Sequence, residues 1–255
     1  MPASTLQSSK GPVATQRPIR HPVNDIELNL KRVRDRIAET ALACRRSPDE
    51  IILLAISKNF PAEIVTRAID AGQYRFGENR VQEAEAKICG LHSDPRLEWH
   101  LVGHLQSNKA RRAAELFSVI HSVDSLKLAM RLNEAGLARE KPVSILLQVD
   151  LGGEDTKFGI ERAEVRKFIS ESRHREGLRL NGLMTMPPYF EDQERARPFF
   201  AELRQLRDSL ELEFPGCLGQ RHLSMGMSHD FVVAIQEGAT IVRIGTAVFG
   251  ERHYE

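Results

Sequence analysis

Eight short candidate-strand runs, alternating with seven helical patterns, constrain this chain more than any other feature. The runs are Ile51–Ile56, Tyr74–Gly77, Leu97–Val102, Ser118–Ser122, Val143–Asp150, Leu178–Met184, Arg221–Ser224 and Thr240–Ile244. Helical spacing lies between them at Arg80–Ile88, Asn108–Leu116, Ser125–Ala138, Arg162–Glu171, Arg197–Leu212 and Phe231–Gln236, and after Pro61. Strands alternating with helices argue for a parallel sheet, and eight such units argue for a closed barrel. The expected fold is therefore α/β, a single (β/α)8 TIM-type barrel over residues 25–255 with an extra N-terminal helix. Leu30, Val33, Ile37 and Ala41 mark the inner face of that helix, which would close the ring. Only nine residues follow Thr246, so no second β domain is expected. Residues 1–24, rich in Ser, Thr, Pro and Gln and with no acid before Asp25, read as a disordered extension.

The first run carries the first chemical clue. Six apolar residues, Ile51 to Ile56, suit a strand buried on both faces. Ser57, Lys58 and the break Asn59-Phe60-Pro61 follow, and then a helix with Ile64, Val65, Ala68 and Ile69 on one face and Gly72 at its end. Lys58 thus stands where a parallel strand hands over to its helix, the edge that holds active sites in such folds. A lysine desolvated there is a nucleophile toward carbonyls; the competing reading is a solvated loop lysine.

The last two runs decide between those readings. Ser224-Met225-Gly226-Met227-Ser228 and Arg243-Ile244-Gly245-Thr246 end the seventh and eighth strands, whose loops commonly build a phosphate site in barrels. Gly245 admits close backbone approach, and Ser224 and Thr246 offer donors. A lysine facing a phosphate cradle suggests pyridoxal 5′-phosphate (PLP), held as a lysine imine. Arg243, an isolated charge in an apolar strand two residues before Gly245, is the candidate partner of the ring nitrogen.

Other constellations are less specific. The net charge of +1 makes no case for nucleic acid or a membrane surface. No run reaches membrane-spanning length. Cys44, Cys89 and Cys217 form no CxxC pair, which suits a reducing cytoplasm. His100 lies on the run Leu97–Val102, a strand rather than a helix, so its ring and that of His104 do not converge through helical spacing and no metal site is expected. His100 either hydrogen-bonds inside the barrel or approaches the ring. Lys157, in a polar loop after Asp150, is the rival amine.

Several stretches together resemble the pyridoxal phosphate homeostasis proteins. They are Ala55–Lys58, Phe76–Asn79, Trp99–Lys109, Gly182–Met186, Leu223–Ser228 and Val242–Thr246. The likeness runs from Ile26 to Arg252. It implies a barrel similar to the N-terminal domain of alanine racemase, binding PLP on Lys58 with no established turnover of its own. It also implies phosphate contacts from Ser224, Gly245 and Thr246, a ring-nitrogen contact from Arg243, and Asn79 near the cofactor. Apo forms of PLP enzymes are the implied partners, and a monomer is expected. Asn59-Phe60-Pro61 and Arg80 depart from the commoner family residues. The alternatives are an amino-acid racemase or decarboxylase using the same imine, and a lysine Schiff-base aldolase acting on a sugar phosphate. A racemase needs a second base, and of Tyr74, Tyr189 and Tyr254 only Tyr189 is placed to reach the mouth.

Overall fold

Parallel pairing joins strand to strand until the sheet meets itself. In the computed structural model, which describes residues 25–91, 94–153 and 158–250, the strands are Ile52–Ile56 (β1), Arg75–Glu78 (β2), Glu98–Leu101 (β3), Val119–Val123 (β4), Val143–Asp150 (β5), Ile160–Glu161 (β6), Leu178–Met184 (β7), His222–Met227 (β8) and Ile241–Ile244 (β9). The order β4-β3-β2-β1-β9-β8-β7-β5 closes through β4 pairing with β5, and β6 adds to the outer end of β5. The eight long strands form the expected (β/α)8 barrel among the described residues.

Helices Ile26–Ala43 (α1), Ala62–Asp70 (α2), Val81–Gly90 (α3), Ala110–Leu116 (α4), Leu126–Ala138 (α5), Val165–Ser172 (α6), Arg197–Glu213 (α7), Phe231–Gln236 (α8) and Thr246–Phe249 (α9) cover it. α1 starts where the Asp25 carboxylate accepts the Leu28 amide at 3.1 Å. It packs on α2, α8 and α9, and so closes the helical ring as the periodicity predicts.

Every second strand residue faces one of two cores. Leu54, Ile56, Val102, Leu146, Met184 and Ile241 pack inside the barrel. Ala55, Phe76, Trp99, Leu101, Ile120, Leu183, Leu223 and Ile244 pack between sheet and helices. Gly77 makes room for Ile56, since a Cβ there would lie 2.5 Å from its Cδ1.

The structure corrects several element ends. β8 continues past Ser224 to Met227. α4 and α6 begin after the tight turns Ser107–Lys109 and Arg162–Glu164, which lack side-chain caps at Gln106 and Glu161. Pro61 precedes α2 as its cap rather than opening it. β6 and α9 are too short for periodicity to reveal. The expected extension, residues 1–24, lies outside the described residues. No helix among the described residues is long and apolar enough to cross a membrane.

Candidate cofactor site

Inward-facing positions on β1 recur as Ile52, Leu54 and Ile56, and the same repeat reaches Lys58 just beyond the strand. Lys58 is half-buried. The turn that carries it is held from below by a buried charge cluster. Lys87 on α3 donates to Ser57 O at 2.7 Å, to Glu78 Oε1 at 2.7 Å and to Glu83 Oε1 at 2.8 Å. Ser57 Oγ donates to Glu78 Oε1 at 2.6 Å, and the Asn59 amide donates to Glu83 Oε1. Residues on both sides of Lys58 are therefore tied to one ammonium–carboxylate cluster. Asn59 has φ 65°, a left-handed conformation that asparagine tolerates better than most residues. Phe60 packs on Phe249 with ring centroids 5.0 Å apart, which pins the turn to α9. Burial pushes the Glu78 carboxyl upward, while bonds from Lys87 and Ser57 pull it down.

Arg243 lies on β9, next to β1, in register with Leu54. It is buried, and its bonded partners are Ser224 Oγ at 2.8 Å and Thr185 O at 2.9 Å. Burial lowers its pKa to about 10, which leaves it charged at neutral pH. Ser224 is itself fully buried, and its hydroxyl also meets His121 Nδ1 at 2.9 Å. His121 Nε2 meets His100 Nδ1 at 2.9 Å, so His100 bonds inside the barrel.

Burial drives both His100 and His121 below the ordinary value of 6.5. The unfolded chain therefore binds protons below pH 6.5 that the folded chain refuses, and stability falls as pH drops from there. The limiting slope is about 1.4 kcal/mol per pH unit for each ring. Urea midpoints measured between about pH 7 and about pH 5 are expected to fall accordingly, and a flat profile would contradict the neutral assignment.

Ser224 is thus committed beneath the mouth and not at its rim. The hydroxyl at the rim is Ser228, whose Oγ accepts from the Gly245 amide at 3.2 Å and the Ala247 amide at 3.3 Å. Gly245 follows Arg243 on the inward repeat, and a Cβ on it would lie 3.6 Å from Ile56 Cβ. Thr246 opens α9 and is exposed. Asn79 follows β2, and its backbone presses so close to Gly103 that a Cβ on Gly103 would lie 2.3 Å from Asn79 O. Lys58, Asn79, Arg243, Gly245, Thr246 and Ser228 thus share the end of the barrel at which the strands finish.

The other candidates go elsewhere. His104 bonds Asp124 at 3.1 Å and stacks on Phe158 at 3.7 Å, apart from His100. Tyr189 is 74% exposed, and its ring lies 5.3 Å from that of His229, tilted by 39°. The Tyr74 ring lies under the Arg96 guanidinium. Lys157 and Tyr254 lie outside the described residues. Sequence reasoning missed Glu78, Lys87, His121 and Ser228. Lys87 had one local signal, since it stands four residues after Glu83 on the face of α3 that carries Val81 and Ala84.

Residues 28–253 match the model of the alanine racemase N-terminal domain family. The pyridoxal phosphate homeostasis protein of Escherichia coli strain K12 is 43% identical over 91% of this chain and 99% of its own length. That of Aquifex aeolicus is 42% identical over 88% of this chain and 97% of its own. PipY of Synechococcus elongatus PCC7942, solved both without and with PLP bound, is 41% identical, covers 84% of this chain and superposes with a TM-score of 0.76. The family model and these relatives, matched over nearly their whole length, show that this chain belongs to the pyridoxal phosphate homeostasis protein family.

Proposed function

We propose that the barrel binds PLP at its C-terminal mouth, with Lys58 joined to the aldehyde carbon as an imine, and that the chain holds and releases this cofactor in the cytoplasm without turning over amino acids. The observation that carries the reading is Arg243. A buried guanidinium, bonded to a hydroxyl and a carbonyl and, among the described residues, to no carboxylate, stands one strand away from the lysine-bearing turn. Such a group suits a neutral acceptor such as a pyridine nitrogen. The family's printed name and the PLP-bound PipY structure support the choice of cofactor.

When bound, PLP supplies an aldehyde electrophile and a ring that takes up electron density. The protein's own residues do the rest. The cluster under Ser57 and Asn59 aims the Lys58 amine at the mouth. Gly245 lets a phosphate approach the backbone, Thr246 offers its hydroxyl, and Ser228, whose oxygen accepts the Gly245 amide and whose own hydrogen can donate, stands beside them, so we assign Ser228 rather than Ser224 to this edge. Asn79 borders the same space. Arg243 can only donate, which keeps the ring nitrogen unprotonated and the ring a weak electron sink.

The rival reading, a racemase, requires a base opposite Lys58. Tyr189, the candidate from the sequence, points its ring at His229 and is largely in solvent. Exchange of the α-hydrogen of alanine in heavy water at roughly 1 per second or faster would favour the racemase.

The phosphate assignment has its own test. Binding of PLP and of pyridoxal, measured by equilibrium dialysis, is expected to differ by at least about 100-fold, since several charge-assisted bonds of roughly 1.5–3 kcal/mol each are at stake. Ser228→Ala is expected to narrow that gap about tenfold, and Ser224→Ala to leave it. Equal binding of the two vitamers would refute the site.

A further inference from the structure

Four bonded groups run in a line through the barrel interior: Arg243 on β9, Ser224 on β8, His121 on β4 and His100 on β3. The His121–Ser224 bond spans from one wall of the barrel to a strand that does not pair with β4. At the far end, His100 Nε2 is buried without a hydrogen-bond partner and lies 3.6 Å from Glu98 Oε2. That separation is longer than a hydrogen bond but aims the nitrogen at a carboxylate. Glu98 begins β3, at the opposite end of the barrel from Lys58, and its other partner is Arg75 at 3.2 Å.

Only one direction of donation satisfies this line. Arg243 has N–H groups and no acceptor, so Ser224 Oγ must accept from it. The Ser224 hydroxyl hydrogen then needs an acceptor in a fully buried place, and His121 Nδ1 is the neighbour that can serve. His121 must in turn carry its proton on Nε2 and donate to His100 Nδ1. His100 then carries its proton on Nε2, facing Glu98. The reverse direction would strand the hydroxyl hydrogen and turn the His100 lone pair toward an anion. In the permitted direction, every dipole points its positive end at Glu98 and its negative end at Arg243, and each bond polarises the next.

We infer that Ser224, His121 and His100 form a directional relay that couples Arg243 at the cofactor ring to Glu98 at the opposite end of the barrel, and so hold Arg243 as a fixed donor. They are positioning residues, and no proton moves along the line. The inference rests on the proposed role of Arg243 toward a ring nitrogen, but its geometry exists without a cofactor. Sequence gave His100 two alternatives, a bond inside the barrel or a place near the ring. The relay joins them, because His100 acts on the ring through three intervening groups.

The experiment uses the full chain with ¹⁵N-labelled histidine, freed of PLP. Long-range proton–nitrogen correlations are expected to show His100 and His121 both protonated on Nε2 and bare on Nδ1. Glu98→Gln, at a half-exposed position, is expected to shift the His121 nitrogens as well as those of His100, with Glu98→Asp restoring most of the shift. Ser224→Ala is expected to abolish the single His121 tautomer. After loading with PLP, Glu98→Gln is expected to shift the visible absorption band at unchanged cofactor content. A His121 ring protonated on Nδ1, or His121 signals indifferent to Glu98→Gln, would overturn the relay. The expected tautomers in a wild-type protein that shows no visible band would leave the relay standing and refute the PLP reading.

Discussion

Lys58→Ala is expected to abolish the visible absorption that PLP gives the wild-type protein, while far-ultraviolet circular dichroism and the thermal midpoint stay close to wild type. The lysine is half-buried at the end of a strand and belongs to neither core cluster. Its removal therefore opens no interior cavity, and substitutions outside the core usually stay within about 0.5 kcal/mol. Residual non-covalent binding through the phosphate edge and Arg243 is compatible with this account. A retained imine band is not, because it would require a different amine.

Lys87→Met is expected to have the largest effect on stability. Its ammonium and the Glu78 carboxylate are almost wholly buried, and Ser57 and Glu83 complete its bonds. Removing one partner of a buried pair leaves the other charge uncompensated, at about 3–5 kcal/mol. At 2–4 °C per kcal/mol for a chain of this size, the melting temperature should fall by roughly 10 °C. Glu78 can escape only by taking up a proton, a route its buried setting already favours. The double substitution Lys87→Met with Glu78→Gln should recover much of the loss, since neutral residues of similar volume can replace a buried pair. A single substitution costing less than about 1 kcal/mol would show that the cluster is not what holds the Lys58 turn.

The two substitutions also separate anchoring from chemistry. Lys58→Ala should remove the chromophore and spare the fold. Lys87→Met should weaken the fold and loosen the turn between Ser57 and Asn59, so that any cofactor bound is held less tightly.

The barrel was legible because parallel strands buried on both faces leave apolar runs, unbroken at Ile51–Ile56 and nearly so at Ile145–Leu147 in the longer Val143–Asp150. Lys58 and Arg243 were legible for a related reason: each is a charge at or just beyond such a run. Ser224 shows where this reading fails. Ending the strand at Ser224 put that hydroxyl at the rim. The strand instead continues through Gly226, at φ 90°, to Met227. A side chain on Gly226 would come within 2.5 Å of Ala234 Cβ, so glycine there lets α8 lie close while the strand extends. The rim thereby moves on to Ser228, and Ser224 sinks beneath Arg243. Glu78 and Lys87 were hidden for another reason. They stand on a strand and on the helix after it, and only the packing of α3 on β2 brings them to 2.7 Å. No local periodicity encodes that distance. The same holds for His121, whose partners come from β3 and β8.

Reduction of the PLP-loaded protein with borohydride, followed by peptide mapping, tests the central assignment most directly. One modified peptide is expected, containing Ile56-Ser57-Lys58-Asn59, with the pyridoxyl group on Lys58. Label found instead on Lys157 or spread over several surface lysines would contradict it.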